Sequence, residues 1–205
     1  MRYLDEVTHY HSYDRVEESI YEKIDRNTAF ESLRTRASTG RAFSIWIDTS
    51  FKASILRTKH VMVVDCDNET GMIAAAHIIK SVFQKEYEIV QSSEGHFWLI
   101  TDIVGTFNNV MKYFDLIVGV DPKYSYFTKQ RERFHLRLHP KNNSIPQFHN
   151  KRICLQNPEA IRFYQQLKKD YTSKDMRMIL EVFKVQQLWA KGKLIDAAAN
   201  PEFSI

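Results

Sequence analysis

The alternation of apolar and polar residues predicts a centre rich in strands. Residues 43–48 alternate as a half-exposed strand does, and residues 61–64 form a short β-branched run typical of a buried strand. Residues 72–83 repeat their apolar positions at helical spacing, which predicts an amphipathic helix. Residues 88–90 and 97–100 are predicted to be two strands of a hairpin around a polar turn.

The second half of the chain adds strands and helices to this prediction. Helical patterns cover residues 106–114, 159–169 and 174–194, and strands are predicted at residues 116–120 and 133–139. The order from the buried strand onward is strand, helix, strand, strand, helix, strand. This order predicts an α+β fold with helices on one face of a sheet and the C-terminal helices packed back on the core.

The beginning of the chain is polar, and Val16, Ile20 and Ile24 have the spacing of a helix. Glycine and proline are sparse, with 6 and 5 residues, so long flexible linkers are not expected. We therefore expect one domain over residues 1–205.

Composition is that of an ordinary globular protein, with 43% hydrophobic and 26% charged residues. The net charge of +4 permits a polyanionic partner without requiring one. Two cysteines are too few for a four-cysteine zinc site, so zinc is not expected. No apolar run reaches the roughly 18 residues of a membrane span, and the charged N-terminus is unlike a secretory signal, so a cytoplasmic protein is expected.

The buried strand at residues 61–64 leads directly to two carboxylates, Asp65 and Asp67. Residues two apart on a strand share a face, and two carboxylates there repel each other unless a cation lies between them. Mg²⁺ prefers oxygen ligands together with substrate phosphates. The pair therefore suits a metal bound with a triphosphate, while a solvated turn with Asp67 as a capping residue is the alternative.

The polar turn of the hairpin carries Ser92, Ser93, Gly95 and His96. Glycine allows a close backbone approach, and the serine hydroxyls and backbone N–H groups could form an anion-binding nest. A polar histidine at a hairpin edge is the alternative.

A third aspartate, Asp121, follows the predicted strand at residues 116–120. A third carboxylate near the first pair would complete a two-metal site for displacement at phosphorus. The alternative is an aspartate of a turn that ends a strand, which is a common feature.

Basic and aromatic residues follow this aspartate. The cations are Lys123, Lys129, Arg131, Arg133, Arg137 and Lys141, and the aromatic residues among them are Tyr124, Tyr126 and Phe127. Arg137 lies in an alternating strand between two leucines, where it needs an acidic partner such as a phosphate. The aromatic rings could stack on bases or pack in the core.

In this order the motifs resemble those of the archaeo-eukaryotic primase superfamily, which includes the primase-polymerases. The family has an apolar strand ending in Asp-x-Asp, a turn of serine and glycine ending in histidine, and an apolar residue followed by aspartate. Residues 63–67, 92–96 and 120–121 match these motifs, and residues 131–141 match the family's basic strand and lysine. Glu94 stands where the family commonly has serine, and the zinc-binding insertion of many primases has no counterpart.

The resemblance, which covers residues 41–141, implies an RRM-like antiparallel catalytic sheet at residues 61–150. A small N-terminal αβ module would precede it at residues 1–60, and a helical tail would follow at residues 151–205. The implied activity is template-directed nucleotidyl transfer. Asp65, Asp67 and Asp121 would bind two Mg²⁺ or Mn²⁺ ions. Ser93, His96, Arg137 and Lys141 would bind the nucleotide, and Lys123, Lys129, Arg131 and Arg133 would bind nucleic acid.

The implied partners are a single-stranded DNA template, an NTP or dNTP, and a separate helicase or other replication protein, with no membrane partner. The small size suggests that these replication partners are separate chains, as in phage, plasmid or other mobile-element systems, and a phage-encoded protein would lie in the host cell cytoplasm. Two other functions remain open. One is a non-catalytic module that binds single-stranded nucleic acid, and the other is a two-metal nuclease or phosphodiesterase.

Overall fold

The computed structural model describes residues 3–10, 16–24, 44–54, 57–137, 145–150 and 152–172. The strands in these ranges are β1 (Tyr3–Tyr10), β2 (Val16–Ile24), β3 (Ser44–Asp48), β4 (Ser50–Ser54), β5 (Arg57–Cys66), β6 (Tyr87–Ser93), β7 (His96–Gly105), β8 (His135–Arg137) and β9 (Gln147–Phe148). The α-helices are α1 (Glu69–His77), α2 (Phe107–Phe114), α3 (Pro122–Arg131) and α4 (Pro158–Thr172), and a π-helical turn at Ile78–Val82 continues α1. The helix predicted at residues 174–194 lies outside the described residues.

The strands form two antiparallel sheets. The larger has the order β4-β5-β7-β6-β9, and the smaller has the order β2-β1-β3-β8. The predicted α+β class is therefore confirmed. The strand predicted at residues 133–139 is limited to β8 within the described residues, and β8 pairs with β3 in the smaller sheet.

The predicted hairpin is confirmed as β6 and β7. Val90 pairs with Trp98, and Ser93 pairs with His96 across a two-residue turn. The second turn residue, Gly95, has a φ of +72°, a backbone conformation that glycine adopts without steric cost.

Helices cover both faces of the larger sheet, so the prediction of helices on one face was wrong. On β5, Met62 and Val64 belong to the core formed with α1, α2 and α3. Val61 and Val63 point the other way and belong to the core formed with α4. A strand that is apolar at every position needs cover on both faces, and α4 provides the second cover. The C-terminal packing that was predicted is thus confirmed for α4.

The start of α4 is anchored to β7 by hydrogen bonds from its backbone to a side chain of the strand. The carboxylate of Asp102 accepts from the backbone N–H groups of Gln156 and Asn157, at 2.8 Å each. The side chain of Asn157 then accepts from the backbone N–H of Glu159 at 2.9 Å. These bonds satisfy donors that a helix start leaves unpaired, and they fix α4 against the sheet.

Two other predicted elements were wrong. Val16–Ile24 was predicted to be helical but forms β2, because a spacing of four also keeps residues on one face of a strand and β1 provides the partner. Residues 116–120 were predicted to form a strand, but they form an irregular connection in which Leu116 and Val118 are exposed.

Within the described residues, no helix has both the length and the apolar character that crossing a membrane requires.

Candidate functional site

The end of β5 separates core residues from carboxylates. Asp65 is the penultimate residue of the strand and lies opposite Trp98 of β7, while Asp67 is exposed just beyond the strand end. Cys66, between them, points into the core and is 0% exposed. Strand alternation therefore puts Asp65 on the α4 side of the sheet, continuing the row of Val61 and Val63.

A helix cap makes the chain turn immediately after these carboxylates. The side chain of Asn68 accepts from the backbone N–H of Gly71 at 2.7 Å, so Asn68 is the N-cap of α1. Helix begins at Glu69, so Asn68 alone connects Asp67 to α1. This tight exit holds the start of α1 next to the carboxylates.

The first and second sequence motifs meet through a side-chain contact. His96 Nδ1 lies 3.0 Å from Asp67 Oδ1, although the two residues are separated by 29 positions. His96 is the first residue of β7 and is paired in the sheet with Ser93. A carboxylate partner at Nδ1 fixes the orientation of an imidazole ring.

Ser93 is buried in the same hairpin end, with 4% of its surface exposed. Its hydroxyl has no hydrogen-bond partner among the described residues. An unsatisfied buried polar group costs roughly 1–3 kcal/mol, so a ligand that hydrogen-bonds to this hydroxyl would remove that cost. Ser92 is half-buried.

The third motif reaches the first through the backbone. The N–H of Asp121 donates to the carbonyl oxygen of Asp65 at 2.8 Å. Asp121 was predicted to follow the end of a strand, and this prediction was wrong. Asp121 is the N-cap of α3, and its Oδ1 accepts from the backbone N–H of Lys123 at 2.8 Å, with Pro122 in the first turn. An aspartate followed by proline is a helix-start signal that could have revealed α3 in the sequence.

Two glycines that the sequence did not single out allow this approach. A Cβ on Gly71 would lie 2.6 Å from the carbonyl oxygen of Gly119, and a Cβ on Gly119 would lie 2.6 Å from the Cα of Gly71. Gly119 also has a φ of +84°. The connection before Asp121 can therefore lie against the start of α1 only because neither residue has a side chain.

The Cys66 thiol is buried in the core near the negative charges of the three aspartates. Burial is the main cause that raises the pKa of Cys66 to about 12, and the negative charges of Asp65, Asp67 and Asp121 raise it further. Cys66 is therefore a protonated core thiol at neutral pH, and it is not the nucleophile of this site.

Most predicted nucleic-acid-binding cations have partners within the chain. Lys129 Nζ pairs with Asp115 at 2.8 Å. The Arg131 guanidinium lies 4.8 Å from the centre of the Phe127 ring, and Arg133 Nε donates to the carbonyl oxygen of Arg131 at 3.2 Å.

Two nucleotide-binding predictions cannot be placed at the site. The backbone of Arg137 lies in β8 opposite Trp46, whereas its side chain is outside the described part of the chain, and so is the whole of Lys141. Lys123 is exposed at the start of α3.

The carboxylates match a hard divalent cation in chemistry but do not form a closed cage. Among the described residues, no group of three or more His, Cys, Asp or Glu side chains is arranged to hold a metal ion. Asp67 accepts its contact from His96 through Oδ1, and Asp121 caps α3 through Oδ1. Among the described residues, the second carboxylate oxygen of each aspartate can therefore bind another ligand. Oxygen donors of this kind suit Mg²⁺ or Mn²⁺ completed by water and phosphate.

No protein-family model matches this chain, and neither a curated protein nor a solved structure matches it. The function of the site is therefore inferred from its own residues.

Proposed function

We propose that the protein is a template-directed nucleotidyltransferase of the primase-polymerase kind. The observation that carries the proposal is the backbone hydrogen bond from Asp121 to Asp65, at the same sheet end as the Asp67–His96 pair. Residues from three separate motifs thus share one end of the larger sheet. Their order along the chain and their chemistry resemble those of the primase motifs.

Asp65, Asp67 and Asp121 would hold Mg²⁺ or Mn²⁺ in this proposal. When bound, two such ions lower the pKa of an attacking 3′-hydroxyl and neutralise charge on the departing pyrophosphate. Asp67 also orients His96 through the 3.0 Å contact at Nδ1. The aspartate therefore has two roles, as a metal ligand and as the residue that positions the histidine.

The hairpin end would bind the triphosphate. His96 is held there by Asp67, and the buried Ser93 hydroxyl gains in a phosphate oxygen the partner that it lacks among the described residues. Gly95 is exposed, so its backbone can approach a ligand closely. We expect Arg137 and Lys141 to add positive charge to this phosphate site.

The RRM-like arrangement belongs to this proposal. The central strands have the order β5-β7-β6, with α1 between β5 and β6 in the chain and α2 after β7. This order supports the proposal of an RRM-like unit, whose first three strands and two helices would follow one another in the same way. The fourth position, beside β5, is occupied by β4.

Nucleotide incorporation tests the proposal. The full chain is incubated with single-stranded DNA, labelled NTPs or dNTPs and Mn²⁺, and the products are separated by length. We expect new product from the wild type and a loss of at least about 100-fold in Asp65→Asn, since removing a metal ligand removes charge stabilisation in the transition state.

Asp115→Asn is the matched control, because Asp115 is an exposed aspartate paired with Lys129 and is not part of the site. It should retain wild-type synthesis. Shortened template in place of new product would indicate a nuclease. Binding of DNA without any turnover, with either metal, would indicate a non-catalytic binding module.

A further inference from the structure

Helix α3 has one buried face and one exposed face. Tyr124 and Thr128, one turn apart, are buried, whereas Lys123 and Tyr126 are exposed. The helix sequence from Pro122 to Arg131 contains three cations and no acidic residue. A basic, solvent-facing helix of this kind attracts a polyanion.

The three aromatic residues of α3 have different environments. The hydroxyl of Tyr124 donates to the backbone carbonyl oxygen of Val63 at 3.1 Å, so this ring belongs to the core. The ring of Phe127 is half-buried with the Arg131 guanidinium over it. Tyr126 has 59% of its surface exposed and touches Phe127 edge-on, with 5.4 Å between ring centres. Tyr126 is therefore the ring that presents a face to solvent.

The three cations of α3 also have different environments. Lys129 is paired with Asp115, and Arg131 is stacked on Phe127. The side chain of Lys123 has no such partner among the described residues. Lys123 lies on the same exposed face as Tyr126, which is one helical turn further along α3. Lys123 is therefore the cation on this face that is best placed to contact a new anion.

We infer that this face of α3 is a docking surface for single-stranded nucleic acid, with Tyr126 stacking on a base and Lys123 contacting a backbone phosphate. Stacking on an exposed ring requires an unpaired base, so the partner is a single strand. Because α3 begins at Asp121, the bound strand would lie beside the carboxylates. The choice of nucleic acid over another polyanion rests on the proposed function.

Binding of a fluorescent oligothymidylate to the full chain, measured by anisotropy in EDTA, tests this surface. Stacking contributes about 1–3 kcal/mol per base, so Tyr126→Leu should weaken binding about 5- to 150-fold. Tyr126→Phe keeps the ring and should bind within about twofold of the wild type. Tyr126 is exposed, so we expect both variants to keep the wild-type melting temperature.

An abasic oligonucleotide of the same length separates stacking from charge. The wild type and Tyr126→Leu should bind it equally, because its phosphates are unchanged. Lys123→Gln should reduce the slope of log affinity against log salt by about 0.7 on either strand, the value for one phosphate contact to a single strand. Tyr113→Leu removes another exposed tyrosine, one that contacts Phe83 edge-on, and should leave affinity unchanged.

Three outcomes would overturn the inference. They are equal binding of oligothymidylate by the wild type and Tyr126→Leu, an equal loss on the abasic strand, and no binding by the wild type. The absence of metal separates this test from the synthesis assay. If synthesis is absent but the Tyr126 effect is found, the proposed activity fails and the surface stands. If synthesis occurs and Tyr126→Leu binds normally, the surface alone fails.

Discussion

The two faces of the larger sheet are alike at residues 61–64 of β5 and differ where the strand ends. On the face covered by α1, α2 and α3, the row Met62, Val64 and Cys66 is apolar and buried up to the last residue. On the face covered by α4, the row begins with Val61 and Val63 and continues into Asp65. Between Val61 and Cys66, one face is core up to the last residue, whereas the other changes from core to carboxylate within two residues.

This difference shows how a short strand can serve stability and chemistry at once. Successive side chains point to opposite faces, so a polar residue at the strand end leaves the row on the other face intact. The core row holds the strand in place. The carboxylate end of the strand is then contacted by His96 at the start of β7 and by the backbone N–H of Asp121 at the start of α3.

One substitution in the core row of β5 and one at its carboxylate end should give the largest difference in the free energy of unfolding. Met62→Ala removes a fully buried side chain and should lower the free energy of unfolding by about 2–5 kcal/mol. Asp67→Asn changes a half-exposed carboxylate and should lower it by less than about 1 kcal/mol. Urea unfolding at pH 7 measures both variants. A larger loss in Asp67→Asn than in Met62→Ala would show that the carboxylate end is mainly structural.

The contact between Gly71 and Gly119, which brings α3 to the carboxylate end, can be tested with matched glycine variants. Gly119→Ala adds a Cβ that has no space and imposes a positive φ on alanine, and it should cost about 2–4 kcal/mol. Gly95→Ala meets the same kind of φ penalty in open space and should cost about 1–2 kcal/mol. Thermal unfolding compares the two. Equal costs would mean that the close backbone contact does not hold the third motif in place.

Stability at alkaline pH tests one buried group with a raised pKa on each face of the larger sheet. Cys66 has an ordinary pKa of 9.0 that is raised to about 12, mainly by burial, and burial with the nearby Glu88 raises the pKa of Tyr164 from 10.0 to about 12. The unfolded chain therefore loses these protons at a lower pH than the folded chain does. Stability is complete below the unfolded pKa and falls as pH rises from about 9 to 12, by about 1.4 kcal/mol per pH unit for each group.

Urea unfolding at intervals from pH 8 to 11 measures this slope. Cys66→Ala should remove the part that begins near pH 9.0 and keep the part that begins near pH 10.0. A free energy of unfolding that stays constant between pH 9 and 11 would contradict the burial of both groups.

The elements that the sequence predicted correctly are those with a strong local pattern. β5, α1 and the β6–β7 hairpin follow from apolar runs, helical periodicity and a turn containing glycine. The prediction of a helix at Val16–Ile24 was wrong because its spacing fits both a helix and a strand, and pairing with the neighbouring strand β1 stabilises the strand. The prediction of a strand at residues 116–120 was wrong because apolar character alone does not specify a strand. The backbone there instead makes the close contact between Gly119 and Gly71.

The sequence by itself determined which residues could form the site, since carboxylates and a histidine at the ends of predicted strands and turns are local features of the chain. Only the tertiary structure decided their partners. The contact of His96 with Asp67 and the hydrogen bond from Asp121 to Asp65 both join residues far apart in sequence. Such contacts depend on strand register, on the cap at Asn68 and on two glycines that let backbones touch, and no local periodicity encodes them.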